Sequence, residues 1–429
     1  MRRIFCVGAP FGLFFRDFSL ALEKAGCKVH RVVFDAGDFA ATRARNRIVF
    51  KGGREEWPRF VDTMLRRFKI DGIITFNDAH YREAGALAAA TRLGIKSYVL
   101  EHGYLRPHWI TFERDGVNAH SRLPRDIDFY RRQNLPAHNG AEFPFKLRGV
   151  VLNTIVHFAV AIAGAPFFRY DTTYYGDPVR YQALGYTGEV IRRLVRPSSG
   201  EAIALDELKF SSGKNHLCLL QKPGDVQLLK HSKFGGNLAY LGTVLQSFAK
   251  AAPAEDRLIV KQHPLDYGKE GLESFVRRLG GELGIADRIT FIRNISIEEV
   301  LPLVSSAVTI NSTAGLACLI AHKAVKCLGD AIYDFEGLTF QAPLDDFWRE
   351  GAPAAPQDVA CFVNYLKATS QFGGGFETAS ARKVLIPALV EAIMQDSLVR
   401  HPAPVVVTAP VPAFIAGAKA TIAAGGLKR

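Results

Sequence analysis

Short apolar runs separated by longer mixed stretches set the rhythm of the first hundred residues. Residues 4–9, 29–34, 72–76 and 95–100 are strand-length and rich in Val, Ile and Phe. Between them, 17–25, 58–68 and the alanine-rich 81–93 predict helices. Strands alternating with helices in this way predict a parallel sheet covered on both faces. The pattern restarts near Asn215. Strands are predicted over 217–220, 258–260, 289–292, 308–310 and 325–328. Helices are predicted over 237–251, 271–283, 297–306 and from about 315.

Two similar α/β halves in one chain predict two Rossmann-like domains facing across a cleft, the GT-B-like arrangement of glycosyltransferases. At 429 residues the chain exceeds the size at which single cores stop growing. The divisions fall at 1–190 for the first domain and 205–345 for the second, with C-terminal helices over 346–400 and a biased Ala/Pro-rich tail over 401–429. One large mixed domain is the alternative. An apolar block at 149–168 approaches the ~20 residues of a membrane span. Asn153, Thr154 and His157 interrupt it and Pro166 closes it, which favours a buried or interdomain helix. Arg148 and Arg169 flank the block, placed to meet lipid headgroups if one face lies on a membrane.

The hydrophobic fraction of 48% and charged fraction of 22% are ordinary for a globular protein. The net charge of +12 is not. It suits an anionic membrane face or an acidic substrate, and equally a merely soluble basic enzyme. Scattered Lys and Arg, without a long basic run, argue against nucleic acid. The six cysteines form no CxxC pair and sit in apolar surroundings, as buried thiols in a reducing compartment do. The N-terminal apolar run is too short for a signal peptide, which also indicates the cytoplasm. With neither H-E-x-x-H nor a Cys–His cluster, no metal site is expected. The absence of a P-loop and of GxGxxG argues against kinases and nicotinamide enzymes.

Candidate chemistry gathers where strands end. Lys261-Gln-His263-Pro264 and Asn311-Ser312-Thr313-Ala-Gly315-Leu316 each close an apolar run and precede a helix, where open sheets bind ligands. Ser312 and Thr313 offer hydroxyls at a positive helix end, and Gly315 allows close backbone approach. The bland reading makes the hydroxyls ordinary caps and His263 a strand-end residue. Gln221 follows another strand and can read a base or a sugar hydroxyl, while Asp225 holds a hydroxyl or caps the next segment. Together these suggest a nucleotide phosphate site and a nucleotide-linked donor. Carboxylates lie in the first half, at Glu101, Glu113 and Asp115. One near an anomeric carbon can act as nucleophile or stabilise an oxocarbenium-like state. Alternatively, Asp115-Gly116 is only a hairpin turn and Glu113 a solvated strand residue. Asn77, Asp78 and His80 are further residues at the same edge.

Glu101-His-Gly-Tyr-Leu-Arg-Pro107, Trp109-Ile-Thr-Phe-Glu113 and Gly116-Val-Asn118 precede Gln221 with Asp225, then the Lys261 and Asn311 motifs. In that order, over roughly residues 1 to 340, they resemble the bacterial capsule polysaccharide biosynthesis and export family, of the KpsS/LipB type of β-Kdo transferase. The resemblance implies a CMP-Kdo donor with no further cofactor, and transfer of the first β-linked Kdo onto a (lyso)phosphatidylglycerol-type lipid. The site implied is the inner face of the cytoplasmic membrane, as a peripheral protein, alongside other capsule assembly proteins. It puts His263, Ser312 and Thr313 at CMP-binding positions. Glu113 falls where related transferases carry an aspartate proposed as the catalytic carboxylate, and Glu101 at a second acidic position near the sugar. Glu in place of Asp, with Asp115 two residues on, leaves the nucleophile open. His102 and Arg106 join Arg148 and Arg169 as acceptor or lipid contacts. A transferase with another donor, or a non-catalytic export or scaffold protein, remains the alternative.

Overall fold

A computed structural model of the chain describes residues 1–8, 13–42, 45–133, 135–137, parts of 155–168 and of 201–209, 212–222, 232–264, 266 and 270–402. In the first lobe, β1 (Arg3–Val7), β2 (Lys28–Val33), β3 (Asn46–Val49), β4 (Gly72–Phe76) and β5 (Lys96–His102) are parallel. Beside them β6 (Trp109–Arg114) runs antiparallel to β5. The second lobe holds β7 (Asn215–Leu219), β8 (Arg257–Lys261), β9 (Ile289–Ile292), β10 (Ser306–Thr309) and β11 (Ala324–Cys327), all parallel. The inner strands β4, β7 and β10 are buried at every position, because helices cover both faces of each sheet.

In space the parallel strands run β3-β2-β1-β4-β5 in one lobe and β9-β8-β7-β10-β11 in the other. Both are the Rossmann order 3-2-1-4-5, in which the winding reverses beside the first strand and opens a crevice at the carboxyl ends. The two lobes meet across a cleft lined from both sides. The α/β, GT-B-like architecture expected from the sequence is the one observed.

The chain then returns to the first lobe. Helix Pro356–Thr369 packs on helix Ile127–Gln133, where Arg131 grips both oxygens of Asp358 at 2.7 Å. Next, β12 (Gln371–Gly373) adds antiparallel to β6, and helix Ala379–Gln395 lies on helix Phe14–Lys24. Asp396 closes that last helix and is tied to Lys96 at 2.5 Å and Arg114 at 2.9 Å. Residues 346–400, expected as helices, therefore also supply a strand to the first sheet.

Other local expectations change for physical reasons. The helix expected over 297–306 stops at Val300, because Pro302 turns the chain into the 3₁₀ segment Leu301–Leu303 and Ser306 already opens β10. Asp115-Gly116 is not a hairpin turn: Asp115 adopts φ 71° after β6 and leads into the 3₁₀ turn Asn118–His120. One apolar core includes residues of both lobes, with Tyr104, Leu105, Leu123 and Tyr130 joining Leu316 and Phe335. Among the described residues no helix is long and apolar enough to cross a membrane. Arg148, Arg169, Asp225, much of 149–168 and the tail beyond residue 402 lie outside the described residues.

Candidate active site

The second sheet reverses its winding between β7 and β10, and the residues that follow these strands meet there. The Gln221 side-chain amide donates to Asn311 Oδ1, bridging the crevice. Asn237 fixes Gln221 by accepting from its backbone N–H at 3.2 Å and donating to its carbonyl at 2.9 Å. Gln221 Oε1 is left buried without a hydrogen-bond partner, which is costly unless a ligand supplies a donor. Ser312 caps helix Thr313–Ile320, accepting from the Ala314 N–H at 3.2 Å, so the ordinary capping role is present. Thr313 and Asn311 line the cleft. Gly315 serves a neighbour: a Cβ there would collide with the Tyr333 hydroxyl, which donates to the Ser312 carbonyl. The space that Gly315 leaves, read from the sequence as room for a phosphate, is taken here by a tyrosine.

At the end of β8, Lys261 is buried and its ammonium donates to the Ile295 carbonyl at 2.6 Å. Burial lowers its pKa. His263 stands beyond it, on a turn closed by the Asp266 N–H to the His263 carbonyl at 3.0 Å, and Pro264 is exposed beside it. Its pKa is pushed down to about 3, by burial first and then by the charges of Arg106, Lys222 and Lys261. Arg106 belongs to the first lobe, so its charge reaches His263 from across the cleft. Arg106 also depresses His102, again after burial, to about 3. Two neutral imidazoles thus face fixed positive charge, an environment that favours an anion.

In the first lobe, Gly103 lets the chain turn tightly from β5 to β6, since a Cβ would press on the carbonyls of Trp109 and Leu105. Tyr104 then projects into the cleft, its hydroxyl accepting from the Asn118 N–H at 2.7 Å, and both residues line the opening opposite Asn311 and Thr313. Glu113 lies behind them. Ser121 donates to Glu113 Oε2 at 2.5 Å, while Oε1 is buried. Burial raises the Glu113 carboxyl to about 7, against the hydrogen-bonding influence of Ser121 and Tyr104, with Asp78 adding to the rise. A second cavity reaches Glu113 from the far side, lined also by Arg114, Arg122, Thr369 and His401. Glu101, next to last in β5, is half-buried and accepts from the Asn77 side chain and from the His102 N–H at 2.8 Å. Asn77 reaches it from a left-handed conformation, φ 70°, at the end of β4. His80 caps helix Tyr81–Arg92 and pairs with Glu83 at 3.0 Å, and Asp78 accepts from the Val117 N–H at 2.8 Å.

Asp115 is placed elsewhere. Because β6 runs antiparallel, its end lies beside the start of β5, where Ser97 donates to Asp115 at 2.9 Å. Arg122 at 3.1 Å and Arg400 at 3.0 Å complete its surroundings. It is a structural anchor at the edge away from the cleft, and this corrects its candidacy. The structure therefore gathers Gln221, Asn311, Ser312 and Thr313, brings His263 and Arg106 into electrical contact, and keeps Glu113 one layer beneath the cleft. Tyr104, Asn118, Ser121, Asp330 and Tyr333 gained no role from the sequence. For Tyr104 and Asn118 the signal was their place inside the Glu101–Asn118 motifs. Tyr333 gave none.

The family model described as capsule polysaccharide biosynthesis protein matches residues 71–376, a span that holds β4 through β12. The capsule polysaccharide export protein KpsS of Escherichia coli is 31% identical over 367 residues, covering 84% of this chain and 93% of that protein. The capsule polysaccharide modification protein LipB of Neisseria meningitidis serogroup B is 29% identical over 383 residues, covering 87% and 91%. Among solved structures, Thermosulfurimonas dismutans KpsC, a β-Kdo 2,7 transferase, aligns over 92% of this chain and 98% of that one at 14% identity, with a TM-score of 0.40. The match to the family model over most of the chain, together with the similarity to KpsS along nearly its whole length, establishes that the chain belongs to the capsule polysaccharide biosynthesis protein family.

Proposed function

We propose that the protein is a retaining glycosyltransferase that moves β-Kdo from CMP-Kdo to a phosphatidylglycerol-type lipid at the inner membrane face, starting the linker of a capsular polysaccharide. The observation that carries this reading is the cleft itself. Its second-lobe wall is a strand-switch crevice with a buried, unsatisfied Gln221 oxygen and a hydroxyl-bearing helix start. Its opposite wall brings Tyr104 and Asn118, with Arg106 adding positive charge towards His263. A cytidylate needs polar contacts for its base and positive charge for its phosphate; the cleft wall supports the first, and Arg106, Lys222 and Lys261 around His263 support the second. The choice of Kdo rests on the motif resemblance.

Retention is consistent with two displacements. A carboxylate attacks the anomeric carbon as its bond to CMP oxygen breaks and CMP leaves with the electron pair. An acceptor hydroxyl then attacks the same carbon, the ester bond to the carboxylate breaks with the electron pair going to the carboxylate, and the hydroxyl proton passes to solvent. In this reading Glu113, one layer beneath the Tyr104–Asn118 contact, is the nucleophile. Glu101, held by Asn77 and the His102 N–H, stabilises the sugar in this reading.

Incubation with CMP-Kdo and a short-chain phosphatidylglycerol tests the reading. The expected result is released CMP and a lipid heavier by one Kdo. Turnover only with UDP- or GDP-sugars would replace the donor. CMP binding without any turnover would point instead to an export or scaffold role.

A further inference from the structure

The edge strand β3 presents an alternating outer row. Arg45, Arg47, Val49 and Lys51 are exposed, while the residues between them are more buried. Within β3, period-two exposure places Arg47 and Val49 on one side, and Arg45 and Lys51 flank the strand. Beside it, helix Ala36–Ala41 exposes Phe39 at 41%, with the Arg47 guanidinium 4.5 Å from the ring. Ala36, one turn away on that helix, is met so closely by Gly164 that a Cβ on Gly164 would overlap it. The Lys51 ammonium lies 5.9 Å from the Phe168 ring. These contacts seat Gly164 and Phe168 against the β3 rim. That segment leaves Ile155 58%, Val156 54%, Ile162 48% and Phe167 72% exposed.

Large apolar side chains exposed together, rimmed by cations, are costly in water and match a bilayer with anionic headgroups. We propose that this rim docks the protein on an anionic phospholipid bilayer, with Ile155, Val156, Ile162 and Phe167 entering the headgroup boundary and the cations of the β3 rim meeting lipid phosphates. The proposal rests on the lipid-acceptor reading for its choice of a bilayer over a protein partner. The rim also stands apart from the catalytic cleft: β3 is four strand spacings from β5, about 19 Å, so the bilayer can hold the enzyme without blocking the donor site.

Flotation of the full chain with phosphatidylcholine vesicles, with and without phosphatidylglycerol, tests the proposal. The wild type should float only with the anionic vesicles. Phe39→Ser with Phe167→Ser, and separately Arg47→Glu with Lys51→Glu, should each lower the bound fraction about tenfold or more. Melting curves report whether these surface variants fold. A dye on Ile162→Cys should shift to the blue on anionic vesicles, independently of the other substitutions. Wild type that ignores anionic vesicles, or variants that bind as well as it does, would overturn the docking face. Turnover of a monomeric short-chain acceptor separates the two readings. Normal turnover with lost flotation in the variants supports docking. Absent turnover with intact flotation sinks Kdo transfer and leaves the docking face standing.

Discussion

Glu113 shows how a single side chain links stability to chemistry. Its carboxyl is raised from an ordinary 4.5 to about 7 by burial, so the folded state holds a proton that the unfolded state has lost. The sign follows from linkage. The contribution is intact below pH about 4.5, fades as pH rises, and is gone above about 7. Glu113→Gln keeps the shape and an acceptor for Ser121 while removing the titration. The variant should therefore melt like wild type near pH 4.5 and above it at pH 8, by at most about 3 kcal/mol. It should also bind CMP normally and fail to transfer sugar. A variant that melts alike at both pH values would show that the wild-type carboxyl is not buried as described. Full transfer activity would move the nucleophile to Glu101.

At the scale of the element, the turn into helix Thr313–Ile320 depends on a glycine and a tyrosine from the next segment. Gly315→Ala would push against the Tyr333 hydroxyl and its ring carbon, and also against Thr309. The expected cost is about 1–3 kcal/mol in urea unfolding, with weaker CMP binding. Adding Tyr333→Phe removes the hydroxyl clash, so the double variant should lose less than the sum of the two single losses. Strict additivity would mean the two residues do not meet. This pair also marks what a sequence can carry. Strands β1, β2, β4 and β5 were legible because each is a mostly apolar, strand-length run with a helix before the next. The strand-end motifs at Gln221, His263 and Asn311 were legible for the same reason. The edge strand β3 alternates with exposed charge, and β6 carries Thr111, Glu113 and Arg114. Strand β12 is only three residues long. The partner of β12 is β6, far away along the chain, and Tyr333 likewise comes to Gly315 from beyond β11, so local pattern cannot register either neighbour. Asp115 misled for a related reason. Its position depends on β6 running antiparallel, a property of the whole sheet.

Across the whole molecule, the two lobes share packing as well as a cleft. Tyr130 is buried against Phe335 and Phe362, and Arg125 donates to the Ala331 carbonyl, so residues before the apolar block and residues near the end of the second sheet pack as one body. That packing is what lets a charge on one lobe act on the other. Arg106 ranks directly after burial among the causes that hold the His263 imidazole near 3. Removing it with Arg106→Ala leaves burial, Lys222 and Lys261 in place. The His263 pKa should therefore rise while staying below its ordinary 6.5, and His102, governed by the same two leading causes, should rise with it. Nuclear magnetic resonance of the ring protons across pH 3 to 7, a window bounded by about 3 and 6.5, reads both shifts directly. Loss of the guanidinium should also weaken CMP binding by about tenfold, the worth of a hydrogen bond to a charged group. If His102 moves and His263 does not, the lobes stand further apart in solution than the cleft requires, and a donor held between them would need a closing motion before either displacement could begin.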